Sequence, residues 1–219
     1  DGNGRIELWS ANQSVFRVQA NVSETLGLPM TKLRCLTPSI GAGFGNKMEA
    51  HVQPIVAKLA LVTGLPVKLI LNREEDFEMI RARHPFHIRC KTGVKKDGRL
   101  WARQARVIFN SGAFGAFKPR VHLRGADHSG GPYRIPNVQI DSYMVYTNNI
   151  PCGHMRAPAK PQVAFAVESH MDMVAKELGL DSFEFRRINA LQLGDASPTG
   201  EEWHNIRAAE TLQKAADAV

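Results

Sequence analysis

Ile40-Gly41-Ala42-Gly43-Phe44-Gly45-Asn46-Lys47 joins an apolar run at residues 33–36 to a pattern of helical periodicity at residues 49–63. Three glycines around one phenylalanine allow the backbone of this stretch to approach a ligand closely. A loop that leads from a strand into a helix also presents free N–H groups to an anionic ligand. The stretch therefore predicts a strand, a ligand-binding loop and a helix, with a plain tight turn as the alternative.

Strand and helix patterns alternate on both sides of this loop. Strands are predicted at residues 5–9, 32–36 and 67–71, and helices at residues 12–26, 49–63 and 73–81. The phrase Gly27-Leu28-Pro29 recurs as Gly64-Leu65-Pro66, and each copy marks a helix end followed by a strand. The predicted buried face of the second helix consists of Val52, Ile55, Val56 and Leu59.

The remainder of the chain is predicted to be rich in strands and then helical. Strands at residues 86–94 and 100–109 flank a hairpin turn at Asp97-Gly98, and another strand covers residues 138–146. Loops cover residues 110–131, where a short helix is left open, and residues 147–161. A helix is predicted over residues 163–178. A capping box at residues 181–184 begins the next helix, and a last helix covers residues 203–219.

These elements add up to an α+β (mixed α/β) fold. Repeated strand–helix units precede an antiparallel β-rich middle and C-terminal helices. The 219 residues are expected to form a single domain. Within it, residues 1–82 form an α/β half with the Gly-rich loop, and residues 83–219 form the β-rich half with the C-terminal helices.

Composition excludes several classes of protein. The net charge is +7, but the one tight basic cluster, Lys95-Lys96-Asp97-Gly98-Arg99, is typical of a solvated hairpin turn, so nucleic-acid binding is not predicted. Cys35, Cys90 and Cys152 form neither a disulfide framework nor a zinc motif, and the first two are predicted to be buried. No apolar run is long enough for a membrane span, and no signal peptide is recognisable.

Four further blocks accompany the loop in a fixed order. Ser10-Ala11-Asn12-Gln13 lies upstream, and the downstream blocks are Asn72-Arg73-Glu74-Glu75-Asp76 with Arg83-His84-Pro85-Phe86, Tyr133-Arg134-Ile135-Pro136-Asn137, and Met155-Arg156-Ala157-Pro158-Ala159-Lys160-Pro161-Gln162. Together the five blocks resemble the molybdenum hydroxylases of the xanthine oxidase and aldehyde oxidase type. That family has a Gly-Gly-Gly-Phe-Gly-Gly-Lys loop that cradles molybdopterin, and an Arg-Gly-Phe-Gly-x-Pro-Gln segment. The resemblance runs from about residue 4 to about residue 193.

The resemblance implies a catalytic role for Gln13 and a cofactor-binding role for Gly43, Phe44, Gly45 and Arg156. Gln13 matches the glutamine that donates a hydrogen bond to an oxygen on the molybdenum, and an amide can donate without adding charge. Gly43, Phe44 and Gly45 match the loop that contacts the cofactor through its backbone. Arg156 matches the arginine that holds the pterin or its phosphate arm. Without the resemblance, an exposed helix-start residue would be the favoured interpretation of Gln13, and a surface arginine is the alternative for Arg156.

The resemblance also implies a substrate pocket lined by Phe44, Met48, Glu49 and Pro158. Arg124 matches an arginine that orients substrate in purine-oxidising members, and a structural ion pair is its alternative role. Purine oxidisers have a glutamate where this chain has Met48, and Glu49 follows one residue later, about 100° round a helix. Pro158 replaces the family's aromatic residue. These departures argue against a purine and for an aldehyde-like or apolar substrate.

The implied function is that of a molybdopterin-cofactor-binding domain of a molybdenum hydroxylase. Such an enzyme oxidises an aldehyde or N-heteroaromatic substrate with oxygen derived from water. Ala157 stands where carbon monoxide dehydrogenases have a cysteine, so that activity is not expected. The family's Gly-x-Gly-Glu, whose glutamate is the general base, is not found after Gly194. The isolated chain is therefore expected to be inactive.

The expected partners follow from what the sequence lacks. They are the remaining half of the molybdopterin subunit, iron–sulfur and FAD domains or subunits, and a small-molecule substrate. The cofactor is molybdopterin, and its cytosine dinucleotide form is left open. No direct protein ligand to a metal is predicted, and His170 is predicted to be a satisfied core residue.

Two alternatives and a location complete the predictions. The alternatives to a molybdenum hydroxylase domain are a cofactor-free scaffold of the same fold and an anion-binding module that uses the positive charge. Cysteines that are expected to stay reduced favour the cytoplasm, with the periplasm as the alternative.

Overall fold

The computed structural model describes residues 4–114 and 121–218, which divide into two compact units. The first unit comprises residues 1–83 and 150–156, and the second comprises residues 84–149 and 157–219. Helices and strands are interspersed along the chain, and the strands form sheets in both units, so the predicted α+β class is confirmed.

The first unit is built on a parallel strand pair connected by a helix. Its elements are β1 (Ile6–Trp9), α1 (Val15–Leu26), β2 (Leu33–Leu36), α2 (Gln53–Thr63) and α3 (Arg73–Met79). Ile6 pairs with Leu33 in the β1–β2 register. The core of the unit consists of Leu8, Val18, Val22, Leu33, Cys35 and Ala57. The repeated phrase ends a helix in both copies, because Gly27 and Gly64 both take the left-handed conformation.

Three predictions for this unit were wrong. α2 begins at Gln53 rather than at residue 49, because Pro54 favours the first turn of a helix. Glu49 is extended, with φ −123° and ψ 163°, so a helical angle between it and Met48 does not apply. Residues 67–71 do not form a strand in the described part of the chain, although four of the five are apolar.

The face of α2 that packs on the core also differs from the predicted one. Ala57 is buried and Val56 packs against the core, whereas Ile55 and Leu59 are exposed. Nearly every position of α2 is apolar, so the sequence could not indicate which side faces inward.

The second unit is a three-stranded sheet covered by helices. Its elements are β3 (Phe86–Val94), β4 (Leu100–Gly112), α4 (Val121–His128), β5 (Asn137–Tyr146), α5 (Lys160–Glu177), α6 (Ser182–Asn189) and α7 (Ala208–Asp217). The β3–β4 hairpin is antiparallel as predicted. β5 pairs with β4 in parallel, because the connection that contains α4 returns the chain to the end of the sheet at which β4 begins. The middle of the chain is therefore mixed rather than antiparallel throughout.

One face of this sheet packs against α5. Val107 and Phe109 of β4 contact Val163, Val167 and Met171 in a core that is fully buried. The predicted loop at residues 110–131 contains α4, and residues 115–120 of it lie outside the described part of the chain.

Arg103 is a buried cation on the inner side of the same sheet. Its guanidinium donates to the carbonyl oxygens of Ser129 (3.3 Å) and Gly130 (3.0 Å), just beyond the C-terminus of α4. It also donates to Thr92 Oγ1 at 3.2 Å and to Met171 Sδ at 3.2 Å. These hydrogen bonds fix the end of α4 to the sheet. The charge of Arg103 is also favourable there, because a helix C-terminus attracts a cation.

Smaller features agree with the sequence. Asp181 caps α6 by accepting hydrogen bonds from the N–H groups of Phe183 and Glu184, both at 3.0 Å. All three cysteines are free, with Cys35 buried as predicted and Cys90 only half-buried. Among the described residues, no helix has the length and apolar character that crossing a membrane requires.

Candidate functional site

Gln13 is bound to the Gly-rich loop through both its backbone and its side chain. Its backbone N–H donates to Lys47 O at 2.7 Å. Its side-chain Oε1 accepts from the backbone N–H groups of Gly45 (2.9 Å) and Lys47 (3.2 Å). Because both partners are donors, the amide oxygen must face the loop, and the Nε2 group points away from these contacts. No partner for Nε2 is found within the described residues, so this N–H₂ group can donate to a ligand.

Gly43 gives the Gln13 side chain the space to reach the loop. A Cβ atom at Gly43 would lie 2.3 Å from Gln13 Oε1 and 2.5 Å from Gln13 Cδ. Its φ angle is not in the left-handed region, so the space, and not the backbone angle, requires glycine here.

The left-handed backbone of the loop lies elsewhere. Gly41 has φ 60°, Phe44 φ 51° and Gly45 φ 98°. Gly45 also packs against a second segment, because a Cβ atom there would lie 2.8 Å from His154 Cβ. Lys47 Nζ donates to Ile40 O at 2.6 Å and so ties the end of the loop to its beginning. These contacts hold the loop in one shape, with the Phe44 side chain exposed.

Residues 150–156 lie beside the loop within the same unit. The backbone N–H of Arg156 donates to Phe44 O at 2.7 Å, and its guanidinium carbon lies 5.9 Å from the centre of the Phe44 ring. Arg83 donates to Arg156 O at 3.1 Å. The Arg156 side chain is exposed. The backbone of Arg156 is therefore fixed against the loop, while its guanidinium remains accessible.

An ion-pair cluster supports both segments. The carboxylate of Glu49 is ion-paired with Arg81, lies 3.5 Å from Arg17 and lies 3.9 Å from His154 Nδ1. Burial, and then the neighbouring charge of Arg17, lower the pKa of Arg81. Arg81 passes over Gly153, where a Cβ atom would lie 2.7 Å from Arg81 Cβ. Glu49 therefore joins the end of the loop to residues 150–156, and its predicted place in a substrate pocket stays a prediction.

The two remaining predicted residues belong to the second unit. Arg124 is an exposed residue of α4, and Pro158 is half-buried just before α5. Between them lies a close contact, since a Cβ atom at Gly125 would lie 2.4 Å from the Phe109 ring and 3.6 Å from Ala159 Cβ. The structure thus brings α4 and the start of α5 together.

The structure brings the predicted cofactor residues into one cluster. Gln13, Gly43, Phe44, Gly45 and Arg156 lie within a single unit and contact one another. Met48 follows in the same loop and is half-buried.

Sequence reasoning missed the residues that support this cluster: Arg17, Arg81 and His154. Arg81 and His154 lie within two residues of recognisable blocks, but no spacing pattern links them to Glu49. Their pairing exists only in the folded unit.

The histidines do not form a metal site in the part of the chain that the structure describes. No group of three or more His, Cys, Asp or Glu residues there could hold a metal ion. His170 has a partner, as predicted, because its Nε2 lies 2.9 Å from Thr92 Oγ1, but it is half-buried and not a core residue.

The cluster has the chemistry of a site for a polar, anionic group. Gln13 Nε2 and the Arg156 guanidinium can both donate, and both residues are hydrogen-bonded to the Gly-rich loop. A pterin with a phosphate arm and metal-bound oxygens presents the acceptors that such donors require. The residues present therefore fit molybdopterin.

Comparison with known proteins gives the same indication. The molybdopterin cofactor-binding domain family matches residues 1–190. The nicotinate dehydrogenase large molybdopterin subunit of Eubacterium barkeri is 38% identical over 216 residues, which cover 98% of this chain and 51% of that protein. The xanthine dehydrogenase molybdenum-binding subunit of Escherichia coli O157:H7 is 35% identical over 216 residues, which cover 98% of this chain and 29% of that protein.

A solved structure is similar over the whole chain. The aldehyde oxidoreductase from Desulfovibrio gigas superposes with a TM-score of 0.92 at 30% identity, covering 100% of this chain and 24% of that one. The chain therefore spans about half the length of the first relative and less than a third of the other two.

Proposed function

Because this chain belongs to the molybdopterin cofactor-binding domain family, we propose that it is one domain of a molybdenum hydroxylase subunit. The enzyme oxidises an aldehyde or N-heteroaromatic substrate with oxygen derived from water. When bound, the cofactor supplies the metal centre at which the substrate is oxidised, and the protein positions cofactor and substrate.

The double hydrogen bond from the loop to Gln13 Oε1 is the observation that carries this proposal. It orients the side-chain amide, so that Nε2 is presented as a neutral donor. A neutral donor suits an oxygen on the metal, because it stabilises that oxygen without adding a charge to the site. Arg156 supplies the complementary cation for the pterin or its phosphate arm.

The proposed substrate class rests on the residues that the family resemblance assigns to the substrate pocket and on the relatives. Met48 replaces the glutamate expected in a purine oxidiser, and Pro158 offers an apolar wall without an aromatic ring. Phe44 is exposed beside Arg156 and is proposed to form another wall. Arg124 is proposed to orient the substrate through its charge. The relatives named above act on nicotinate, xanthine and aldehydes by name, which supports both substrate types.

The proposal extends to the form of the cofactor and to the partner domains. The cofactor is molybdopterin, with the cytosine dinucleotide form as one possibility. Iron–sulfur and FAD groups are carried by partner domains or subunits, since electrons must leave the metal after each oxidation. The remainder of the molybdopterin subunit supplies the general base. Three free cysteines are in keeping with a cytoplasmic location.

The test is the molybdenum-to-protein ratio of the native complex purified with this chain as bait. We expect near-stoichiometric molybdenum, together with larger iron–sulfur and flavin partners. Arg156→Ala removes a charged donor worth about 1.5–3 kcal/mol and should lower the molybdenum content. Arg99→Ala, on the exposed hairpin turn, is the control. A complex without molybdenum, from a host that makes the cofactor, would contradict the proposal and favour a cofactor-free scaffold.

A further inference from the structure

The outer face of α2 is an apolar surface that the described part of the chain leaves uncovered. Ile55, Leu59 and Val62 recur at helical i, i+4 and i+7 spacing, and they are 46%, 42% and 72% exposed. Ala57 lies on the opposite side of the helix and is 2% exposed in the core of the first unit. The helix is therefore apolar on both sides, and one side packs on its own unit.

The segment after α2 extends this surface. Leu65 is 66% exposed and Ile70 is 74% exposed. Four of residues 67–71 are apolar, as in a short buried strand, yet no strand partner for them is found among the described residues. The unit's own sheet consists of two parallel strands, and parallel sheets are normally buried on both faces.

We propose that this surface, defined as Ile55, Leu59, Val62 and residues 65–71, is where the remainder of the molybdopterin subunit packs. The inference rests on the proposed function, in which the chain is one domain of a longer subunit. The relatives leave room for such an occupant, because the matched region is 51% of one and 29% of another. A helix that is apolar all round is normally buried in the complete protein.

The composition of the surface favours a permanent interface over a transient one. α2 and residues 65–71 together contain two charged residues, Lys58 and Lys68. Permanent interfaces are more hydrophobic than transient ones and resemble a domain core cut in half. A segment of the same polypeptide, folded together with this unit, fits that description. Residues 67–71 would then gain a neighbouring strand and satisfy their backbone groups.

Photo-crosslinking in the complete subunit identifies the occupant. Leu59 is replaced by p-benzoylphenylalanine, and the same group at Lys96, on the exposed hairpin turn, is the control. We expect Leu59 to form an adduct with a peptide of the same polypeptide that lies outside these 219 residues. Such an adduct keeps the mass of a single subunit. An adduct with a second copy, an adduct with a separate subunit, or a yield no higher than at Lys96 would each overturn the proposal.

A charge placed in the surface gives a second test. Val62→Glu should raise the rate of proteolysis within residues 64–71 by about tenfold or more, because an unpaired charge opposes burial. Lys96→Glu adds the same side chain at a position that is exposed and should leave this rate unchanged. Molybdenum content is measured on the unmodified enzyme. Normal molybdenum without the Leu59 adduct contradicts this inference alone, whereas absent molybdenum contradicts the proposed function.

Discussion

Gly43 and Gln13 form the central contact of the Gly-rich loop. The Gln13 amide lies where a Gly43 side chain would be and accepts hydrogen bonds from Gly45 and Lys47. Each residue thus depends on the other: without glycine the amide cannot reach the loop, and without the amide the two loop N–H groups lose their acceptor. Both hydrogen bonds are exposed, and a typical hydrogen bond contributes about 0.5–1.5 kcal/mol net to stability.

The first prediction tests this dependence. Gly43→Ala places a Cβ atom 2.3 Å from Gln13 Oε1, so the Gln13 side chain must move and release the loop. We expect the free energy of unfolding in urea to fall by about 1–3 kcal/mol.

Gln13→Ala is the matched second variant for that measurement. In the Gly43→Ala background it should cost much less than in the unmodified chain, because the contact has already been lost. Equal costs in the two backgrounds would contradict the proposed contact.

At the scale of the element, the backbone that leads into α5 is strained. Ala157 has φ 54° and Ala159 has φ 70°, both in the left-handed region. The family segment that this stretch resembles has glycine at both places. The chain therefore retains a backbone shape that glycine favours while carrying side chains that oppose it. The left-handed conformation costs a non-glycine residue about 1–2 kcal/mol. α5 begins directly after this connection, at Lys160.

The second prediction concerns this strain. Ala157 is exposed, so Ala157→Gly removes the strain without removing a buried methyl group. We expect the free energy of unfolding to rise by about 0.5–1 kcal/mol, after the greater flexibility of glycine in the unfolded chain is subtracted. Ala159→Gly is the comparison, because Ala159 is fully buried and its lost packing offsets the gain. A loss of stability in Ala157→Gly would contradict the interpretation.

At the scale of the whole molecule, buried polar groups couple stability to pH. In the second unit Arg103 donates to Thr92 Oγ1, and Thr92 Oγ1 lies 2.9 Å from His170 Nε2. Burial, and then the charge of Arg103, lower the pKa of His170 from its usual 6.5. Burial, and then Lys160, lower the pKa of His128 as well. Both imidazoles are therefore held neutral in the folded protein at neutral pH.

The third prediction is the resulting pH dependence. Below pH 6.5 the unfolded chain binds a proton at each histidine more readily than the folded chain does. The stability contributed by these residues is complete above that pH and is lost as the pH falls through it. Each tenfold difference in proton affinity corresponds to about 1.4 kcal/mol.

Urea denaturation from pH 7.5 down to about pH 5 measures this loss. His170→Gln keeps a polar side chain beside Thr92 and should flatten the curve, and the double variant with His128→Gln should flatten it further. An unchanged slope in both variants would contradict the assignment.

The sequence by itself determined the α+β class, most helices and strands, and the family to which the chain belongs. It could do so because periodicity, hairpin turns and helix-ending glycines act locally, and because the loop, Gln13 and Arg156 stand in recognisable blocks. The tertiary structure decided which face of α2 is buried, that β5 pairs with β4 in parallel, and that residues 67–71 find no strand partner in the described chain.

Tertiary structure also decided why the site residues are what they are. Gly43 is glycine because of a side chain thirty positions away, and Glu49 is paired with Arg17, Arg81 and His154 from three other parts of the chain. Contacts between residues distant in sequence leave no periodic trace, because they depend on where separate elements meet after folding. The sequence therefore gives the blocks that identify the family, and the fold gives the contacts between the residues of those blocks.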